Sequence, residues 1–348
     1  MRLRRHASGI AARMVRYRET VMRRTRLGVT ATLLVAACLV AGGCGDDGTG
    51  SAGTQDGEDI GQATDAHFPR PSGRSMRVLI EGMNQGPELA PAAFVFEPGR
   101  NRFPFALFDR GNRQIGGLDV RVYVSRGLDE TARGPYAARY HAIEVKPQFR
   151  SQNSVEDPDS ARSIYVAETP LSSRGNHVVA AVARLNGRLV AGITQVMVES
   201  SDIPGPGDRA IRVHTPTVSS AGGNIKDIET RVPPDTMHEV DLADALDRRR
   251  PAVLLFATPA LCESRICGPV TDVTEQVKSE FDGDAEFIHM EIYNDNNLKK
   301  GARPQFRAWH LSQEPVLFTI GRDGRVVDRI QGAFSVDELR AAVRRAIR

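Results

Sequence analysis

The sequence predicts a multidomain protein in which an all-β unit precedes an α/β unit, and two observations carry that prediction. Between residues 76 and 200, short β-rich runs recur between Gly, Pro and Asn, and the last two are joined by Asn186-Gly187. From residue 252 the pattern changes. The fully apolar run AVLLFA (252–257) is followed by a helical stretch and then by a second buried-strand run, AEFIHMEIY (285–293). Short strands punctuated by turn residues read as an antiparallel sandwich, whereas an apolar run without alternation marks a strand covered on both faces. A length of 348 residues with 41% hydrophobic side chains leaves room for about two domains with real cores.

The chain begins with a leader. Residues 1–43 hold nine arginines and one acid, Glu19. That stretch carries +8 against a total of +3, so residues 44–348 carry about −5 and offer no basic face for nucleic acid. The leader has the three parts of an export signal: basic residues to Arg26, an uncharged run from Leu27 to Gly43, and small residues before Cys44. The run spans 17 residues and is followed by Gly45-Asp46-Asp47, so it is marginal in length for a spanning helix and lacks a stop-transfer flank. Ala41-Gly42-Gly43-Cys44 resembles the bacterial lipobox. The resemblance implies cleavage before Cys44, a thioether-linked lipid on its sulfur, and attachment to the extracytoplasmic face of a cell membrane. An uncleaved anchor with Cys44 buried is the competing reading. Arg23-Arg24 is a weak match to a twin-arginine signal, and Met14 or Met22 offers an alternative start.

Residues 44–75 are rich in Gly, Ser and acids and read as a flexible acidic tether, spanning roughly 30 Å as a coil. With Cys38 in the discarded leader and Cys44 lipidated, Cys262 and Cys267 remain as one pair in an oxidising compartment. There a disulfide between them is the default.

Residues 76–200 contain the runs MRVLIEG (76–82), RFPFALFD (102–109), LDVRVYVS (118–125), ARYHAIEV (138–145) and SIYVAET (163–169). HVVAAVARL and RLVAGITQVMV then flank Asn186-Gly187, a hairpin signal because a type I′ turn needs positive φ at both central positions. In pattern this stretch resembles the immunoglobulin-like modules of bacterial envelope proteins. His141 and His177 fall in strand patterns and read as ordinary strand residues. Residues 201–235, rich in Pro and Gly at their ends, read as an interdomain linker, although Ile225 and Ile228 are unlike linker residues.

In residues 236–348, LADAL (242–246) reads as a short helix capped by Asp241, and Val270, Val273 and Val277 line one face of a helix over 268–281. A polar loop and a helix occupy 294–311. Strand 316–320 turns at Asp323-Gly324 into 325–331. Ser335 opens a closing helix with Glu338 at the capping-box position. This order resembles the thioredoxin fold. PAVLLFATPALC (251–262) matches the strand leading to the first cysteine of that family. Glu314-Pro315-Val316-Leu317-Phe318 matches the loop with its cis-proline, and Gly332 with Ser335 matches the close of the fold.

The resemblance implies that Cys262 is the nucleophile, that Cys267 resolves the mixed disulfide, and that a cis Pro315 faces them. Three departures accompany it. The spacing is C-x4-C rather than C-x2-C; Leu261 stands where the family has an aromatic residue; Leu255 stands where thioredoxin has its buried strand acid. Residues five apart on a regular helix point about 140° away from each other, so a bond between the cysteines requires Cys262 to lie in the loop before the helix. Arg265 is close enough in sequence to favour the Cys262 thiolate.

Three uses of the pair follow. The first is thiol–disulfide exchange with envelope proteins that carry thiols or disulfides. The second is a non-catalytic binding or scaffold protein with a structural disulfide, whose short loop is worth about 2 kcal/mol. The third is Cu(I) handling, because C-x4-C followed by Gly-Pro is similar to the copper-binding Sco proteins and two thiolates suit Cu(I). Those proteins add a histidine before a late strand, whereas His289 and His310 here read as structural. No organic cofactor and no resident metal are expected.

Overall fold

In the computed structural model, which describes residues 68–348, the β-rich runs pair into a nine-stranded ladder and the apolar runs into a separate four-stranded sheet. The export signal (1–43), Cys44 and the tether up to residue 67 lie outside the described residues. The last part of the expected tether, 68–75, is packed: Phe68 is buried, and the Tyr123 hydroxyl donates to the Pro69 carbonyl at 2.8 Å. Among the described residues no helix is long and apolar enough to cross a membrane.

The run 76–82, expected as a strand, opens with helix α1 (Met76–Ile80). Ser75 Oγ accepts from the Val78 amide, and Met76 and Leu79, three apart, are buried against Tyr123, Val178 and Ala180. The cap and the helical spacing outweigh the β preference of Val78 and Ile80.

Strands β1 (Asn84–Gln85), β2 (Glu88–Pro91), β3 (Gly99–Phe108), β4 (Gln114–Ile115), β5 (Val120–Ser125) and β6 (Arg133–Ala142) follow. After helix α2 (Gln152–Glu156) come β7 (Ser163–Leu171), β8 (Gly175–Leu185) and β9 (Arg188–Val198). The ladder order is β1-β9-β8-β5-β6-β7-β3-β2, with β4 on β3. Strand β6 pairs with β5 up to Ala138 and with β7 from Ala138 onward, so the ladder folds over at that residue. Phe103, Phe105 and Tyr165 thereby share one core with Val120, Val122 and Val179. At the β8–β9 turn Asn186 and Gly187 have φ of 49° and 76°, the positive pair that the turn demands.

The α/β part runs α3 (Leu242–Asp247), β10 (Ala252–Phe256), α4 (Cys267–Glu280), β11 (Glu286–Met290), α5 (Pro304–Ala308), β12 (Val316–Ile320), β13 (Val326–Gln331) and α6 (Val336–Ala346). Its sheet order is β11-β10-β12-β13, with β10 parallel to β11 and the other pairs antiparallel. Alternate β10 residues serve opposite faces. Val253 and Leu255 pack with α4 and α6, while Leu254 and Phe256 pack with Leu242, Phe306 and Trp309 of the α3 and α5 side.

Two features were not legible as linker or surface. Residues 201–235, expected as a linker, pack on the α/β part: Ile203, Ile228, Glu229, Arg231 and Asp235 are buried, and Arg209 bridges Arg325 beside β13. The polar side of α4 is also buried, because residues 145–154 of the β part lie across it. Asp272 accepts from Ser151 and Arg231, and Gln276 accepts from the Lys146 amide at 2.8 Å.

Candidate functional site

Strand β10 ends in a short loop that delivers Cys262 to the start of α4, whose first residue is Cys267. The two form a disulfide with Cα atoms 6.0 Å apart, within the ordinary range for such a bond. Cys262 therefore lies in the loop before the helix, as the C-x4-C spacing requires. Its side is open: Cys262 is half-buried and Glu263, Ser264 and Arg265 are exposed, whereas Cys267 is fully buried. Cys267 sits at the helix N-terminus, where unpaired amides and the helix dipole favour a thiolate.

The Glu314–Pro315 bond is cis and Pro315 is buried, on the loop entering β12. That loop places Glu314 Oε2 3.4 Å from Cys267 Sγ. Burial pushes the Glu314 carboxyl up to about 8, and the neighbouring charge of Glu291 adds to the effect. Sequence reading treated Glu314 only as the residue before a proline. Leu255 stands on β10 where the resemblance has a strand acid, and the carboxyl found near the sulfur comes instead from the loop before β12. Arg265, expected beside the Cys262 thiolate, is instead turned onto Asp157 and Asp159 of the β part. These acids neutralise it, so it is not a free cation for sulfur.

Deeper in the same half lies a second polar group. His289 of β11, fully buried, donates its Nε2 proton to the Ala257 carbonyl at 3.0 Å and points Nδ1 at Asp235 Oδ2, 2.7 Å away. His238 Nε2 lies 3.0 Å from Glu229 Oε2. For Glu229, burial alone favours the neutral acid, but the charge of His289 and bonds from both histidines outweigh it and hold the carboxyl far below its usual range. For His289, burial disfavours the cation, yet Asp235 and Glu229 raise it well above the ordinary imidazole value. Between the two groups stands Glu291, pushed by burial up to about 7, with Oε1 accepting from the Thr230 amide and hydroxyl. A His after Asp-x-x (235–238) was the sequence signal for this group. It was missed because both residues sat at the edge of a supposed linker.

The other histidines lie apart from the cysteines. His310 is exposed, with φ of 56°; His141 Nδ1 lies 3.5 Å from Ser335 Oγ; His177 is buried, with Nδ1 3.1 Å from the Gly175 carbonyl. A cavity of about 730 Å³ is lined by His214, Asp241 and Gln305 among others and touches neither cysteine.

No family model and no curated relative matches the chain. Among solved structures it is similar to a thiol:disulfide interchange protein of the thioredoxin family from Chlorobium tepidum TLS. That match has 18% identity over 40% of this chain and 100% of the other, with a TM-score of 0.26. It is also similar to the Lin-41 filamin domain, at 11% identity over 33% of this chain and 98% of the other, with a TM-score of 0.19. Likenesses at this level decide nothing about chemistry.

Proposed function

We propose that this chain is a lipid-anchored extracytoplasmic protein whose residues 236–348 form a thioredoxin-like domain for thiol–disulfide exchange. One observation carries the reading: a disulfide at the start of α4 with its outer sulfur half-exposed and a protonatable carboxyl, Glu314, 3.4 Å from its inner sulfur. In the reduced protein the Cys262 thiolate attacks one sulfur of a substrate disulfide. A Cys262–substrate bond forms and the second substrate sulfur leaves as a thiolate. Cys267 then gives its proton to the ionised form of Glu314 and attacks the Cys262 sulfur; the Cys262–substrate bond breaks and the first substrate sulfur also leaves as a thiolate. The protein ends as the Cys262–Cys267 disulfide, two electrons having passed to the substrate; the reverse sequence oxidises a substrate dithiol. A carboxyl raised to about 8 by burial can exchange a proton with the sulfur beside it near neutral pH. Pro315 borders the groove where a substrate peptide would lie. In this reading the β part is an immunoglobulin-like sandwich that positions the redox site, Cys44 carries the lipid, and the partners are envelope proteins bearing thiols or disulfides.

The test is a Cys267→Ser variant expressed in cells and recovered under acid quench. Mixed disulfides on Cys262 are expected, and their complete absence ends the exchange reading.

A second reading, a structural staple, draws on one observation. Arg265 is held by Asp157 and Asp159, and the Ala161 amide donates to the Arg265 carbonyl at 3.2 Å, so the β part clasps the loop between the cysteines. A reduction potential below about −300 mV would favour the staple, and a higher value exchange. For the copper reading, the third donor beside the cysteines among the described residues is Glu314, a poor partner for Cu(I).

A further inference from the structure

We infer that Glu229, Asp235, His238 and His289 form a structural site for a first-row divalent cation, zinc foremost, independent of the cysteines. Their four donor atoms lie within 4.8 Å of one another and all four residues are buried. The hydrogen bond from His289 Nε2 to the Ala257 carbonyl settles the tautomer, because a carbonyl accepts only. Nδ1 then faces two carboxylates, Asp235 Oδ2 at 2.7 Å and Glu229 Oε2 at 3.4 Å, and holds either a proton, as imidazolium, or a lone pair that a metal can take. His238 Nε2 lies 3.0 Å from Glu229 Oε2 and 3.5 Å from Asp235 Oδ1, while its buried Nδ1 has no hydrogen-bond partner. Such donors gathered at one point repel unless protons or a metal cation lie among them.

The spacing suits a metal. Ligand bonds of about 2.0–2.1 Å place tetrahedral donors roughly 3.3–3.4 Å apart. The four histidine–carboxylate distances here run from 2.7 to 3.5 Å, counting both Asp235 oxygens, and one donor atom from each residue can be chosen with no pair more than 4.8 Å apart. Two imidazoles with two carboxylates are borderline-hard donors that suit zinc, and a dication makes the set neutral in one step. The alternative neutraliser is protons alone. Neutrality by protons alone needs both imidazoles charged; one imidazolium beside two carboxylates leaves a net charge of −1, and the Arg231 guanidinium is spent on Asp272 and on the Pro233 and Phe149 carbonyls. Three of the four have outer partners: the Ala257 carbonyl for His289, the Arg231 amide, which donates to Glu229 Oε1 at 2.6 Å, and the Met237 amide, which donates to Asp235 Oδ1 at 2.8 Å. Such second-shell bonds fix ligand orientation. With every ligand buried and no open position, the role is structural: it ties the 229–238 segment to β11.

The experiment is elemental analysis of the full chain, purified without an immobilised-metal column, followed by unfolding and refolding with chelator, with Zn²⁺ or with Co²⁺. About one equivalent of metal per chain is expected, released only on unfolding. Refolding with Zn²⁺ should restore the original Tm, chelator should leave it lower, and Co²⁺ should give the visible absorption of a tetrahedral site. His238→Gln should lose the metal, while Cys262→Ser and the exposed-site control His214→Gln should keep it. Identical Tm values with chelator and with Zn²⁺, together with no Co²⁺ absorption, would overturn the site in favour of a proton-bonded network, whether or not His238→Gln folds. Loss of the metal in Cys262→Ser would overturn it in favour of the thiols.

Discussion

Glu314 has its carboxyl raised by burial from the ordinary range to about 8, and this sets a pH dependence. Between about pH 4.5 and 8 the folded protein keeps a proton on this group that the unfolded chain has released, so stability falls as pH rises through that window. The burial cost is absent below the window and complete above it. Replacing Glu314 with Gln should flatten that part of the profile, bringing the urea midpoints at about pH 5 and about pH 9 closer together than in the parent. An unchanged slope would mean that the carboxyl titrates normally and is no proton acceptor for Cys267. Leu255 in place of an acid reads in sequence only as a departure from the thioredoxin pattern, with no sign of which group lies beside the buried sulfur. Only packing could say that it comes from the loop before β12.

At the level of elements, α6 was the most legible from sequence. Ser335 Oγ accepts from the Glu338 amide at 3.3 Å, as a capping motif requires. The Glu338 carboxylate, however, turns to Arg102 of β3. Ser335→Ala should therefore cost about 1 kcal/mol in a chemical denaturation series, the usual value of one lost cap. Helix α4 was half-legible. Its valines announced one buried face, but Asp272 and Gln276 gave no sign that residues 145–154 bury the other. A polar residue reads as exposed until its partner is known, and here the partners at Lys146 and Ser151 lie more than a hundred residues away.

Across the whole molecule, the β and α/β parts are joined by polar side chains as well as apolar ones. Arg102 makes a two-pronged contact with Glu338, at 2.5 and 2.9 Å, and also donates to the carbonyls of Gln331 and Ala333. Gln331 binds both backbone groups of Val95, and Gly332, with φ of 71°, leaves no room for a Cβ against the Ala92 carbonyl. Arg102→Ala removes a partly enclosed charge and strands its acceptors, so a loss of about 2–3 kcal/mol is expected in urea unfolding. A single shifted transition would show the two parts unfolding together; a split into two transitions would show that this contact couples them.

What the sequence determined by itself was local: the apolar run of β10, the Asn186-Gly187 turn, the caps at Asp241 and Ser335, and the proximity of two cysteines. Each depends on neighbours within a few residues, through backbone preference or side-chain period. What only tertiary structure decided was long-range: the helix at 76–80, the burial of 201–235, the diversion of Arg265, and the meetings of Glu314 with Cys267 and of Glu229 and Asp235 with two histidines. Those depend on which surfaces exclude water together, and no short window of sequence carries that information.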